Sequence, residues 1–116
     1  MPESKRRGIA GENAAAIFLK RKRKMKILAR NFRYLHTEID IIAQDADSLV
    51  FVEVKTRTTD FCGSGFEAIT KAKYEHIKTG LFTYLKESKD KYKNFRIDAI
   101  SIILTPSVKI NHLKNI

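Results

Sequence analysis

The chain has 116 residues, with 23 Lys or Arg against 13 Asp or Glu, so its formal net charge is +10. That length suits a single domain over 1–116, with no room for a second core, and a 43% apolar share excludes a wholly disordered basic tail. No apolar run approaches the ~20 residues that span a bilayer, the charged start over 1–7 leads into no signal-type apolar core, and the lone Cys62 has no internal disulfide partner. The expectation is a cytoplasmic protein with no membrane partner. Its positive field favours a polyanion, with nucleic acid ahead of a merely lysine-rich surface.

Residues 1–7 read as a flexible lead. Residues 8–22 predict a first helix: four alanines and no breaker after Gly11. Its apolar positions cover most of the circumference, which predicts a largely buried helix. Glu12 falls on the same side as Ala16 and Leu19, where a carboxylate needs a reason. The basic run over 20–26 follows. Such a run ordinarily marks a solvated helix end, where cations suit the helix dipole. Its functional alternative is a phosphate-contacting patch, with Lys22, Arg23 and Lys24 as candidates.

Residues 25–33 predict a first strand, 38–44 a second and 49–56 a third. The polar turn over 45–48 joins the last two as a hairpin. A small-polar loop over 58–65 precedes a second helix over 66–86, which Gly80 weakens. Residues 95–104 form a nearly continuous apolar strand suited to a central position. Pro106 ends it, and 108–113 reads as a short edge strand within a peripheral segment, 105–116. The order is helix, three strands, helix, strand: a mixed α/β domain.

The hairpin carries the chemistry. With the turn centred on Ala46 and Asp47, paired residue numbers sum to 93. Asp40 then faces Glu53, and Glu38 faces Lys55, all four on one sheet face. Ile39, Ile41, Ala43, Val50, Val52 and Val54 occupy the other. Glu38 opposite Lys55 is an ordinary cross-strand ion pair. Asp40 opposite Glu53 is not, because directly opposed like charges destabilise a sheet. The two acids also adjoin Ile42, Leu49 and Phe51. A divalent cation explains them better than solubility does, since Mg²⁺ takes oxygen ligands from one or two carboxylates and completes its shell with water and phosphate. Lys55, two residues beyond Glu53, projects the same way and is placed to orient water or to stabilise phosphate charge.

The arrangement Asp, twelve residues, Glu-x-Lys resembles the PD-(D/E)XK nuclease superfamily. The wider pattern resembles the small bacterial YraN-like family. It comprises Gly11-Glu12, Asn31 at the end of the first strand, Glu38-Ile39-Asp40, 51–57 (FVEVKTR), Ala68-Ile69-Thr70 with Lys73, and Arg96-Ile97-Asp98. Thr37 stands where that family usually has Gly before the Glu-Ile-Asp segment. The basic run stands where it usually has Gly between helix and strand, and Ile39 replaces the superfamily's Pro. The resemblance implies a restriction-endonuclease-like fold, with a central mixed β-sheet flanked by helices. It further implies Holliday junction resolvase-like chemistry with Mg²⁺ or Mn²⁺ held by Glu12, Asp40 and Glu53, and Lys55 beside them. A resolvase-like role would call for a two-fold homodimer, because a four-way junction needs two cuts.

The functional expectation is a metal-dependent endonuclease acting on DNA. Its alternative is a non-cleaving nucleic-acid-binding module on the same fold. Arg57 and Lys73 are candidate phosphate contacts and equally ordinary surface charge. His36, His76, His112 and Cys62 lack zinc spacing. Arg96 and Asp98 share a strand face and are placed to pair. Tyr74 and Tyr84 read as packing residues.

Overall fold

The structure is a computed structural model that describes residues 2–34, 37–58, 70–88 and 91–116. Elements follow the order α1 (Glu3–Arg21), β1 (Lys26–Tyr34), β2 (Thr37–Asp45), β3 (Ser48–Arg57), α2 (Lys71–Glu87), β4 (Asn94–Ile103) and β5 (Lys109–Leu113). The strands form one sheet in the order β1-β2-β3-β4-β5. Only β3 and β4 run parallel, and α2 lies in the connection between them; the other neighbours are antiparallel. This is an α/β architecture with a mixed sheet and two helices, compatible with the restriction-endonuclease-like expectation. The continuously apolar β4 lies inside the sheet, as expected.

Each helix covers its own apolar layer. Ala15 and Leu19 of α1 pack with Ile41, Ala43, Val50, Val52, Val54, Ile100 and Ile102. Ile77 and Leu81 of α2 pack with Ile39, Ile42, Leu49, Phe51 and Ile97. Burying one side chain of this size contributes roughly 1.5–3 kcal/mol, so the two layers supply most of the driving force.

Helix α1 is not largely buried. Gly11, Ala15 and Leu19, spaced by four, form its inner stripe, while Ile9 and Ile17 stand 42% and 54% exposed. A helix on one face of an open sheet buries a stripe, whatever its outer composition. Gly11 is required there, because a Cβ at this position would lie 1.8 Å from Thr56 Oγ1. Residues 3–7, expected to be a flexible lead, have helical backbone, and Arg7 Nη1 donates to Thr58 Oγ1 at 2.6 Å. After α1 the chain turns through Lys24, whose φ of 57° is in the left-handed region. Glycine enters that region without steric cost.

The second helix starts later than its apolar pattern suggests. Thr70 is extended, and its hydroxyl accepts from Lys73 N at 3.1 Å, an N-cap that sets the start at Lys71. The earlier part of the expected helix, 66–69, lies outside the described residues, as do His36 and Cys62. Gly80 does not interrupt α2.

Candidate metal centre

The β2–β3 register is the expected one, with pairs from Asp45↔Ser48 to Ile41↔Val52. Beyond Ile41 the ladder stops. An uninterrupted register would set Val54 opposite Ile39, but Val54 N donates instead to Asp40 Oδ2 at 2.8 Å. The aspartate side chain thereby replaces a backbone acceptor and lets the strands part. Ile39 consequently leaves the face of Ile41 and packs in the α2 layer, against expectation. Glu38 likewise does not pair with Lys55. Its Oε2 lies 3.3 Å from Arg33 on β1, and Lys55 turns to Glu53.

The first strand kinks at the same level. Asn31 and Asp40 lie between the pairs Arg30↔Ile41 and Phe32↔Ile39. Asn31 has a φ of 54°, so it bends β1 within its length and does not end it; asparagine tolerates this region better than most residues. With its amide oriented to suit both neighbours, Asn31 Nδ2 donates to Glu12 Oε1 at 2.7 Å and to Glu38 Oε1 at 3.1 Å. Asn31 thus ties Glu12 of α1 to the hairpin. Sequence reasoning missed this role; the available signal was a lone Asn inside an apolar strand pattern.

Glu53 is buried, 3% exposed. Its Oε1 meets Lys73 Nζ of α2 at 2.5 Å and Lys55 Nζ at 3.7 Å. Its Oε2 is buried and, among the described residues, has no hydrogen-bond partner. Burial and then the charge of Glu53 push the Asp40 carboxyl up to about 7; the Val54 N–H opposes this, Glu12 adds to it and Lys73 opposes it. Glu12 is also raised, by burial first, with Arg30 opposing and Glu38 and Glu53 adding. Burial lowers the Lys73 ammonium, but its hydrogen bond to Glu53 and the charges of Glu53 and Asp40 outweigh that and raise it. A cavity of about 520 Å³ lies over this region, lined by Thr37, Glu38, Asp40, Lys73 and His76.

These residues meet the test for a hard cation in part. An unpartnered buried carboxylate oxygen beside a second, mutually repelling carboxylate is an oxygen-donor set suited to Mg²⁺ or Mn²⁺. Among the described residues no three His, Cys, Asp or Glu side chains converge closely enough to enclose a metal. The fit is therefore to an open, two-carboxylate site, with Glu12 at its border.

The other expected contacts are scattered. Lys22 and Lys24 are exposed. Arg23 is engaged within the fold: its Nε donates to His112 Nδ1 at 3.2 Å, and its guanidinium lies 4.8 Å from the Phe18 ring centroid. Arg57 is half-buried, its Nε without a hydrogen-bond partner among the described residues. Lys73 faces Glu53. The Arg96–Asp98 pair forms at 3.0 Å, within a larger network described below.

The family model described as "Uncharacterised protein family UPF0102" matches residues 11–102. The chain belongs to this family. A UPF0102 protein of Syntrophomonas wolfei is 39% identical over 109 residues, covering 93% of this chain and 94% of the relative. One from Nocardia farcinica is 40% identical, covering 92% and 85%. One from Dictyoglomus thermophilum is 43% identical over 103 residues, covering 89% and 86%. The match spans α1 from Gly11, the hairpin, α2 and nearly all of β4, so every proposed site residue lies within it. No described helix is long and apolar enough to cross a membrane.

Proposed function

We propose that this protein is a metal-dependent DNA nuclease of the PD-(D/E)XK type, with Asp40 and Glu53 as carboxylate ligands and Glu12 assisting from α1. The observation that carries this reading is Glu53 Oε2, buried and unpartnered beside the like-charged Asp40. Two desolvated carboxylates that repel each other cost stability, and a cation between them removes that cost. Mg²⁺ or Mn²⁺ bound there would supply Lewis acidity toward a phosphodiester. Lys55 Nζ, held 3.7 Å from Glu53 and 31% exposed, is placed to position water or to meet phosphate charge. The net charge of +10 favours a DNA backbone. Branched DNA is the substrate class to test first, and cutting it on two strands would need two copies of the chain.

The test is a panel of junction, flap, nicked and single-stranded substrates with each metal. Asp40→Asn and Glu53→Gln should abolish cleavage and leave metal-free DNA binding equal or tighter, because both remove charge that repels phosphate. Lys55→Ala should reduce cleavage and spare metal binding. Cleavage that survives Asp40→Asn would overturn the site. One observation favours the second reading, a non-cleaving binding module: the Lys73 ammonium already neutralises Glu53. DNA binding with no cleavage of any substrate would establish that reading.

A further inference from the structure

Among the described residues, Glu53 is neutralised from one side. Lys73 Nζ and Lys55 Nζ both address Oε1, at 2.5 and 3.7 Å, while Oε2 is buried with no hydrogen-bond partner among the described residues. The nearer cation comes from another element. Lys73 stands in the first turn of α2, three residues past its Thr70 cap, with its side chain 36% exposed. It also lines the cavity shared with Asp40. A long, flexible side chain at such a rim has open space into which it can swing. Lys55, by contrast, is fixed to the same strand as Glu53.

We propose that Lys73 is an internal counter-ion that competes with a divalent cation for Glu53, so that the cation enters only as Lys73 swings into the cavity. This rests on the metal-site reading above. The reason is electrostatic. A cation bound to the Glu53 carboxylate would sit within a few ångströms of the ammonium, where like charges repel strongly at reduced dielectric. Metal-free, Lys73 keeps the buried carboxylate compensated and the fold intact. Metal-loaded, the displaced ammonium projects into the cavity beside Asp40, where an anionic phosphate group would be its natural partner.

The first experiment is Mn²⁺ titration of the full chain, followed by calorimetry and by the paramagnetic signal of free Mn²⁺. Wild type, Lys73→Gln and Asp40→Asn are compared. Lys73→Gln should bind Mn²⁺ at least about tenfold tighter, a floor below the about thousandfold that one unit-charge repulsion at roughly 4 Å through an effective dielectric of about 20 would give, because the flexible ammonium escapes most of that repulsion by swinging away. Equal or weaker binding by Lys73→Gln, with binding lost in Asp40→Asn, overturns this inference alone. No Mn²⁺ binding by either wild type or Lys73→Gln, or binding untouched in Asp40→Asn, overturns the metal reading and this inference with it. Lys73→Gln leaves Glu53 less compensated and can fold poorly, so a second measurement uses wild type alone. Pulsed acetylation read by mass spectrometry should show Lys73 modified faster with saturating Mn²⁺, while the exposed Lys71 on the same helix is unchanged. Equal Lys73 modification with and without Mn²⁺, in protein that binds it, overturns the inference.

Discussion

The two faces of the sheet each draw an acid out of solvent, Asp98 fully and Asp40 by half, and they treat it in opposite ways. On the α1 face, Asp98 is fully buried and fully satisfied. Its Oδ1 accepts from Arg96 Nε at 3.0 Å and from Asn115 N at 2.9 Å, and its Oδ2 meets His112 Nε2 at 2.8 Å. Arg96 reaches on to Asp45 at 2.9 Å. Arg23 donates to His112 Nδ1, which makes Nε2 the protonated nitrogen and the donor to Asp98. Burial alone would raise the Asp98 carboxyl, but His112, Asn115 and Arg96 outweigh it and hold it below its ordinary value. On the α2 face, Asp40 has one backbone donor and an acidic neighbour, and it rises to about 7. Loss of solvent raises both, wholly for Asp98 and in part for Asp40. The difference lies in whether the surroundings supply enough donors, and an acid short of donors is available to bind something else.

The largest expected effect breaks the satisfied side. Asp98→Ala leaves the buried His112 side chain without its acceptor, leaves Arg96 with Asp45 alone, and frees the C-terminal segment at Asn115. The cost should be about 3–5 kcal/mol in urea denaturation, with amide protection lost first in β5. A second change acts on the seat of α1. Gly11→Ala forces a Cβ into Thr56, and the strain should cost about 1–3 kcal/mol and loosen the Asn31 tie to Glu12. Thermal melts give the cost, and the Asn31 side-chain amide resonances report the tie.

The acids should also separate by pH in metal-free buffer. Asp98 has a lowered folded value, so its contribution is complete above the unfolded value near 3.8 and is lost as pH falls through the folded value. Asp40 has a raised folded value, so its penalty is absent below 3.8, grows with pH and is complete above about 7. Asp40→Asn should therefore stabilise the protein by about 1–3 kcal/mol at pH 8, the open cavity screening part of the shift, and by nothing at pH 4. Denaturation with chelator at both pH values measures this. A pH-independent gain would mean that packing, and not charge, is at issue.

The smallest effect is a control on the α2 side. A Cβ on Gly80 meets Tyr34 and Phe51 atoms no closer than 3.6 Å, ordinary contact distance. Gly80→Ala should raise stability by about 0.5–1 kcal/mol through helix propensity alone, leaving the pH profile of Asp40 unchanged.

Local chemistry made much of the fold legible. Alternating valines and isoleucines with a polar two-residue turn determined the hairpin and its register, because side-chain period and turn length are properties of neighbours in sequence. The same pattern singled out Asp40 and Glu53 as ill-placed for solubility. Three features depended on tertiary structure. Asp40 takes the Val54 N–H where β2 and β3 part, which moves Ile39 to the other layer. Lys73, twenty residues past Glu53, reaches it only because α2 crosses that face. Arg23 and His112, 89 positions apart, meet beside Asp98 because β5 packs at the end of α1. No periodicity encodes such meetings. They follow from which helix covers which face, and that is decided by burying both apolar layers at once.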